Sequence, residues 1–370
     1  MDPSRQHSTW VEIDLAAIEA NARRLTKLTR AQLMAVLKAN AYGHGAVEVA
    51  RSAERGGATW VGVARADEAI ELRKAGLAIP ILVLGPAPSE RLAELISNRV
   101  SLTVGDADQI RAAAAAARAQ HAIANVHLKL DTGMNRLGAP PEAALDLAHL
   151  LQQEAEIHFE GLFTHFARAD ETEGEPIREQ VERFELVLTA LSGAGLRPPL
   201  VHAANSAATL TWPETHYDMV RVGILLYGLQ PSPVVALPAG LLPAMQWKTQ
   251  LTRVRSLPAG AGVSYGHDYV TQREERIGTA PVGYADGLRR VDANQVLVSG
   301  VRVPVVGRVC MDLCMLQLDH APQAKPGDEV VLIGSQGQNR ISAEQLAERW
   351  GTINYEVTCG IGARVPRIYV

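Results

Sequence analysis

QLMAVLKANAYGHGAVEVARSAERGGATWVGVARADEAIELRKAGLAIPILVLG, residues 32–85, carries three short apolar runs, QLMAVLK, TWVGVA and PILVLG. Between them lie segments rich in Ala, Glu, Arg and Leu with helical spacing, so the stretch reads as strand, helix, strand, helix, strand. The same alternation continues through SLTVG (101–105), NVHLKLD (125–131), FEGLFTHF (159–166), LVHAAN (200–205) and MVRVGILLYG (219–228). Helices are expected between them, as in DADQIRAAAAAARAQ (106–120) and IREQVERFELVLTALSGAG (177–195). Eight such units in about 200 residues match a closed (β/α)8 TIM barrel. An open doubly wound sheet is the alternative, but no strand leads into a G-x-G-x-x-G turn.

After the Pro-rich stretch PSPVVALPAGLLPAMQW (231–247) the helical period fades and alternation takes over, which predicts a mostly β C-terminal domain. We place the boundary near 238, giving a barrel over 1–238 and a β domain over 239–370. The opening strand, about 9–15, could belong to either. The one helix expected in the second domain, SAEQLAERW (342–350), begins on a serine cap candidate.

The whole chain has 370 residues, 47% hydrophobic and 21% charged, with net charge −4 and a sequence pI near 6.3. This composition argues against a nucleic-acid or anionic-membrane partner and for a small, mildly polar one. No apolar run is long enough to span a membrane, and the first residues lack an export signal, so a cytoplasmic location is expected. Cys310, Cys314 and Cys359 have no C-x-x-C spacing and read as reduced, mostly buried thiols; no metal site is expected.

In a β/α barrel the chemistry sits at the C-terminal ends of the strands. Lys38 closes the first strand, Arg136 follows the fifth, His165 ends the sixth, Asn205 and Ser206 follow the seventh, and Arg221 and Gly223 belong to the eighth. A buried strand-end lysine has a lowered pKa and can act as nucleophile or base, although such lysines more often snorkel to solvent. Ser206 opens a helix that could donate amides to an anion, although alone it reads as a cap. A lysine and a phosphate site together suggest pyridoxal 5'-phosphate held as a Schiff base. Arg136 is a fixed cation suited to a carboxylate or phenolate. An inward Lys129 would need a carboxylate partner, and Asp131 shares its strand face.

The motifs MAVLKANAYGHG, LKLDTGMNRLG, NSAATL, GVSYG, GYADG, GRVCMD and RVPRIY occur in the order seen in alanine racemases, and the resemblance spans the chain. It implies a barrel plus β domain, a homodimer with shared active sites, and interconversion of L- and D-alanine for peptidoglycan or for alanine catabolism. Lys38 would hold the cofactor and serve one face of the substrate's α-carbon, with Tyr265 of the partner subunit on the other. His165 and Arg221 would form a relay lowering the tyrosine's pKa, and Arg221 would face the pyridine nitrogen. The resemblance assigns the phosphate to Tyr42, Ser206, Gly223, Ile224 and Tyr355, supported by Asn205. Arg136 and Met311 of the partner subunit would take the substrate carboxylate. Lys129 matches a lysine that is carboxylated in relatives, and Asp170, Tyr284, Arg289, Arg308 and Asp312 match the access corridor. Leu288, where many relatives carry an aromatic residue, and the bulky Arg168 depart from the pattern at the entrance.

A decarboxylase of basic amino acids on the same architecture would place an acidic side chain where Arg221 stands. A non-catalytic cofactor carrier would lack the second domain, and a metal-dependent barrel hydrolase would want a His-x-His pair that is absent from the sequence after the first strand. A broader racemase that also takes serine is the closest alternative.

Overall fold

The computed structural model describes residues 7–171 and 175–370. The chain forms two compact units, Ala16–Leu242 and a second made of the segment up to Leu15 with Pro243–Val370.

The opening strand β1 (Thr9–Ile13) belongs to the second unit. The first unit carries the eight expected strands: β2 (Gln32–Val36), β3 (Trp60–Val63), β4 (Ile81–Val83), β5 (Val100–Val104), β6 (Ala124–Lys129), β7 (Ile157–Phe163), β8 (Leu200–His202) and β9 (Met219–Val222). They pair in parallel in the order β8-β7-β6-β5-β4-β3-β2-β9. Two amide hydrogen bonds bring β9 against β8, Asp218 N to Val201 O (3.0 Å) and Arg221 N to Ala204 O (2.9 Å), completing a nearly closed barrel. Met34, Trp60, Leu82 and Met219 form one apolar cluster of this unit. The surrounding helices follow from their pattern. In Ala107–Arg118 the buried residues Ile110, Ala113, Ala114 and Ala117 recur three and four apart, and Asp106 caps the helix by accepting from Gln109 N (2.8 Å).

The eighth strand ends earlier than MVRVGILLYG suggested. Gly223 takes φ −102°, ψ −90°, which breaks the extended run, and Ile224–Tyr227 coils into a 3₁₀ turn. The unit extends to Leu242 because Asn21 stitches the chain there to the first helix. Its Nδ2 donates to Leu226 O (3.0 Å) and Leu242 O (2.8 Å), and its Oδ1 accepts from Leu242 N (2.8 Å).

The second unit is a mostly antiparallel sheet built, with β1, from β10 (Met245–Gln250), β11 (Arg253–Leu257), β14 (Glu275–Ala280), β15 (Gln295–Val298), β16 (Val301–Val306), β17 (Cys314–Gln317), β18 (Glu329–Gln336), β19 (Asn339–Ile341) and β20 (Arg367–Tyr369), while β12 (Gly262–Val263) and β13 (Tyr269–Val270) form a separate hairpin. Its main path runs β11-β14-β17-β16-β15-β18-β10-β1-β20, with Val11 facing Trp247 on one side and Arg367 on the other. Ser342 caps Ala343–Trp350 as expected, accepting from Gln345 N (3.2 Å). A second helix, Asn354–Cys359, escaped the sequence reading because six residues are too few to display a period. The thiols also differ from expectation: Cys314 alone is buried, Cys310 is half-buried, and Cys359 is exposed at the end of that short helix. Burial pushes the Cys314 thiol up to about 12.

Replacing the buried Asn21 with Ala takes their side-chain partner from the Leu242 amide and from two carbonyls, one of them buried, so the protein should lose about 2 kcal/mol of stability. A thermal or urea unfolding midpoint unchanged in Asn21→Ala would show that these hydrogen bonds do not hold the end of the barrel unit.

Candidate active site

Lys38 stands just past the end of β2, at the C-terminal mouth of the barrel, where it is exposed rather than buried among apolar residues as its sequence context suggested. The chain then does something unusual. Ala39, Asn40, Ala41 and Tyr42 all lie at φ between 53° and 55°, a left-handed turn made without glycine. Each such residue costs about 1 kcal/mol or more, so the surroundings must impose the shape. Glu68 does part of this: its carboxylate accepts from Ala39 N (2.6 Å) and from Ala64 N and Arg65 N at the end of β3 (2.8 and 3.0 Å). Ala41 N donates to Leu37 O (2.7 Å), Asn40 Oδ1 accepts from Ala46 N (2.8 Å), and the Tyr227 hydroxyl donates to Val36 O (3.0 Å).

The turn delivers Tyr42 to a cradle at the ends of β8 and β9. Asn205, not Ser206, caps the helix Ser206–Thr211, accepting from Ala208 N (3.0 Å). Ser206 is thereby released for another task, and its Oγ accepts from Gly223 N (3.0 Å). A Cβ on residue 223 would fall 2.3 Å from the Tyr42 hydroxyl oxygen, so glycine is required for tyrosine, serine and the buried Ile224 to converge. First-turn amides at 206 and 224 have no intrahelical acceptors, which gives this corner the donors an anionic phosphate needs.

Arg221, only 4% exposed, sits beside the cradle. One terminal nitrogen shares its two N–H donors among Thr164 O (2.8 Å), Ala203 O (2.9 Å) and His165 Nδ1 (3.0 Å), and the other donates to His202 Nδ1 (3.0 Å). A guanidinium has no acceptor, so both imidazoles must receive on Nδ1. Burial lowers the Arg221 pKa to about 9, which still leaves it charged at neutral pH. His165 is pushed well below its usual value by burial and then by Arg221, Lys129, Arg136 and Lys38, so it is neutral and carries its proton on Nε2. The same field explains Lys129, which burial, reinforced by Arg221 and Arg136, brings down to about 7. Its Nζ lies 4.6 Å from the centroid of the Phe163 ring, and the Arg221 guanidinium carbon lies 5.3 Å from that same ring.

Among the described residues Asp131 forms no ion pair with Lys129, although its charge works to raise the lysine. Its carboxylate accepts from the amides of Gly133 (3.0 Å), Met134 (2.9 Å), Asn135 (2.9 Å) and Arg136 (3.1 Å), anchoring the loop that presents the exposed Arg136. Burial works to raise this carboxyl, but the four amides outweigh it and hold it below the ordinary range.

In the second unit, Tyr265 is 70% exposed on a short turn behind Ser264, whose Oγ donates to Arg308 O (2.6 Å). Tyr284 N and Ala285 N donate to Cys310 O and Met311 O (3.0 Å each), which sets Tyr284 beside Met311. The corridor charges are paired within the unit: Arg308 with Asp268, Asp312 with Arg364, and Arg289 with Glu356. Tyr355 lies half-buried on Asn354–Cys359, and Leu288 is buried inside the unit. Asp170, half-buried, belongs to the barrel unit, where Arg168 pairs with Glu171. Sequence reasoning missed His202, Phe163, Glu68 and the left-handed turn. His202 alone had a legible signal, a polar residue in the apolar run LVHAAN.

Asp131→Ala should cost about 2 kcal/mol at pH 7 by freeing the Arg136 loop. Because the folded carboxyl is depressed, its contribution is present above the unfolded value near 4 and fades as pH falls through the lower folded value. The gap between wild type and variant in unfolding free energy should therefore close in acid, and a constant gap from pH 7 to 3 would contradict it.

Family models cover nearly all of the chain: the N-terminal domain of alanine racemase matches residues 13–231 and its C-terminal domain matches 244–369. The alanine racemase of Desulfovibrio desulfuricans is 45% identical over 98% of both chains. Among solved structures, the alanine racemase of Clostridium difficile 630 superposes with a TM-score of 0.94 at 39% identity, covering 98% of this chain and 96% of that one. That of Bacillus anthracis with bound L-Ala-P gives 0.93 at 41%, covering 98% and 95%. These relatives are isomerases that depend on pyridoxal 5'-phosphate, and the cradle and lysine described above fit that group. The chain belongs to the alanine racemase family.

Proposed function

We propose that this chain racemises alanine by a two-base mechanism in which Lys38 and Tyr265 of the partner subunit act on opposite faces of the substrate's α-carbon. The observation that carries this reading is the buried Arg221 with its neutral partner His165. Bound pyridoxal 5'-phosphate supplies an electron sink that acidifies the α-C–H bond of an attached amino acid. Everything else is the work of the chain. Lys38 would hold the cofactor through its ε-amine and, once displaced by substrate, take or return the proton on its own face. Inversion then requires a second proton donor on the other face, because one base cannot reach both sides of a planar carbon. A tyrosine near pKa 10 needs help to serve, and the Nε2–H of His165, fixed by Arg221, is a donor suited to a phenolate.

Ser206, Tyr42, the backbone at Gly223 and Ile224, and Tyr355 would hold the phosphate, with Asn205 maintaining the helix start. Arg221 would donate to the pyridine nitrogen and, being unable to give up its proton, leave the ring neutral. Arg136 and the partner's Met311 would receive the substrate carboxylate. A homodimer is supported by the exposure of Tyr265, Tyr284, Met311 and Leu313 on the loops of the second unit. Asp170, Tyr284, Arg289, Arg308 and Asp312 would line the access to the site. Lys129, whose amine is lowered to about 7 and is therefore partly neutral at neutral pH, is crowded by arginines and suited to carry a carboxyl group whose anion would pair with Arg136. The product D-alanine would serve peptidoglycan synthesis, or the enzyme alanine catabolism, in the cytoplasm. Among the described residues no helix is long and apolar enough to cross a membrane.

Lys38→Ala should abolish both the visible absorbance of lysine-bound cofactor and racemisation. Tyr265→Ala should slow racemisation by about 10³-fold while α-hydrogen exchange with solvent persists from one enantiomer only; equal washout from both would sink the two-base reading. Mixing the two inactive variants should restore up to about a quarter of the wild-type rate, since the mixed dimer rebuilds one of its two sites, whereas a site contained within one chain would stay dead. Serine should turn over with a kcat/KM roughly 10–200-fold below that of alanine. Labelled bicarbonate should give a carbamate carbon signal in ¹³C NMR that disappears in Lys129→Ala.

A further inference from the structure

Arg221 is a buried cation, and among the described residues no carboxylate forms an ion pair with it. A counter-charge does exist, at the far end of two imidazoles. His202 accepts from Arg221 on Nδ1 (3.0 Å), and its Nε2 lies 2.9 Å from His127 Nδ1. His127 Nε2 in turn lies 3.1 Å from Glu160 Oε2, which also accepts from Ser101 Oγ (2.5 Å). The two ends decide the direction of every bond. Arg221 can only donate and a carboxylate can only accept, so both histidines must carry their proton on Nε2 and leave Nδ1 bare.

The sequence FEG at 159–161 builds this chain. Strand pairing passes from Val126↔Phe159 directly to His127↔Gly161, so Glu160 is the extra residue of a β-bulge, which re-aims its side chain. Gly161 completes the device: a Cβ there would fall 2.2 Å from His127 Nδ1, so only glycine lets the imidazole lie across β7. Phe163 stacks on His202 at 4.7 Å with an interplanar angle of 5°, holding the second ring. Glu160 opens at the N-terminal ends of the strands onto a hollow lined by Ser101, Asn125 and Arg99, and His158 faces the same corner by bonding Asn125 Oδ1 (3.0 Å). Burial opposes ionisation of Glu160, but His127 and Ser101 outweigh it and keep its carboxyl below the ordinary range. His127 and His202 are both lowered by burial and stay neutral.

We infer that Glu160 is a positioning residue for the racemisation site: through His127 and His202 it fixes the tautomers that keep Arg221 turned into the site as a donor. This rests on the assignment of Arg221 to the pyridine nitrogen given above. Loss of the acceptor at 160 frustrates the chain, because His127 must then leave Nε2–H unpaired or turn its proton against His202.

¹⁵N NMR of histidine-labelled full-length protein, as purified and after removal of cofactor, reads the tautomers, with resonances assigned by His127→Gln and His202→Gln. Wild type should show Nε2–H for both rings; a proton on Nδ1 of either would overturn the inference without any variant at 160. Glu160→Gln, which keeps an acceptor oxygen, should match wild type. Glu160→Leu should mix the tautomers and raise the pyruvate released per racemisation turnover about tenfold, as alanine's amino group is abandoned on a cofactor whose ring nitrogen has gained proton character. A Glu160→Leu protein with wild-type tautomers and pyruvate yield, or a Glu160→Gln protein resembling Glu160→Leu, would refute the proposal. If the cofactor assignment itself fails, wild type shows no lysine-bound cofactor and the pyruvate arm reads nothing, while the tautomers still decide the role of Glu160.

Discussion

The structure of the barrel unit depends on burying one arginine among groups that can only receive from it. Arg221 is surrounded by two backbone carbonyls and two imidazole nitrogens, all neutral. Desolvating a guanidinium is expensive unless its donors are answered, and four acceptors from β7 and β8 and their C-terminal ends answer them. A parallel barrel supplies such acceptors where strands end and carbonyls lose their ladder partners. The consequence is chemical: a donor that does not titrate near neutrality stands at the mouth, and the imidazoles it contacts, lowered first by burial and then by its charge, stay neutral.

The second consequence is a surplus of positive charge. His165 is lowered by burial and then by the charges of Arg221, Lys129, Arg136 and Lys38, and Lys129 itself is lowered to about 7 by burial, reinforced by the two arginines. Such a concentration of cations suits ligands that bring anions, as the proposed phosphate in the Ser206–Gly223–Tyr42 corner and the proposed carboxylate near Arg136 would. The left-handed turn after Lys38 belongs to the same economy. Strain in four residues is sustained by Glu68 and the barrel wall, and it places Tyr42 against Gly223.

Much of the fold was legible because it is local. Eight apolar runs with helical segments between them can be counted along the chain, and the strand-end positions of Lys38, Arg136, His165 and Arg221 follow from that count. What escaped depends on contacts between distant strands or on backbone torsions. The Glu160 bulge is a register shift between β6 and β7 that FEG does not announce, and Asn205 holds the cap expected of Ser206 while Ser206 turns to Gly223. Asp131 looked like a partner for Lys129 by strand spacing, yet the loop's own amides claimed it. Leu288, read as a departure at the entrance, is buried within the second unit.

If Arg221 donates to the pyridine nitrogen as proposed, the cofactor ring stays unprotonated. ¹⁵N NMR of the protein reconstituted with pyridoxal 5'-phosphate labelled at the ring nitrogen measures this directly. The expected result is the shift of an unprotonated, hydrogen-bonded pyridine nitrogen throughout the pH range in which the enzyme is folded. A protonated ring at neutral pH would contradict it, and would mean that the buried guanidinium serves the barrel rather than the chemistry.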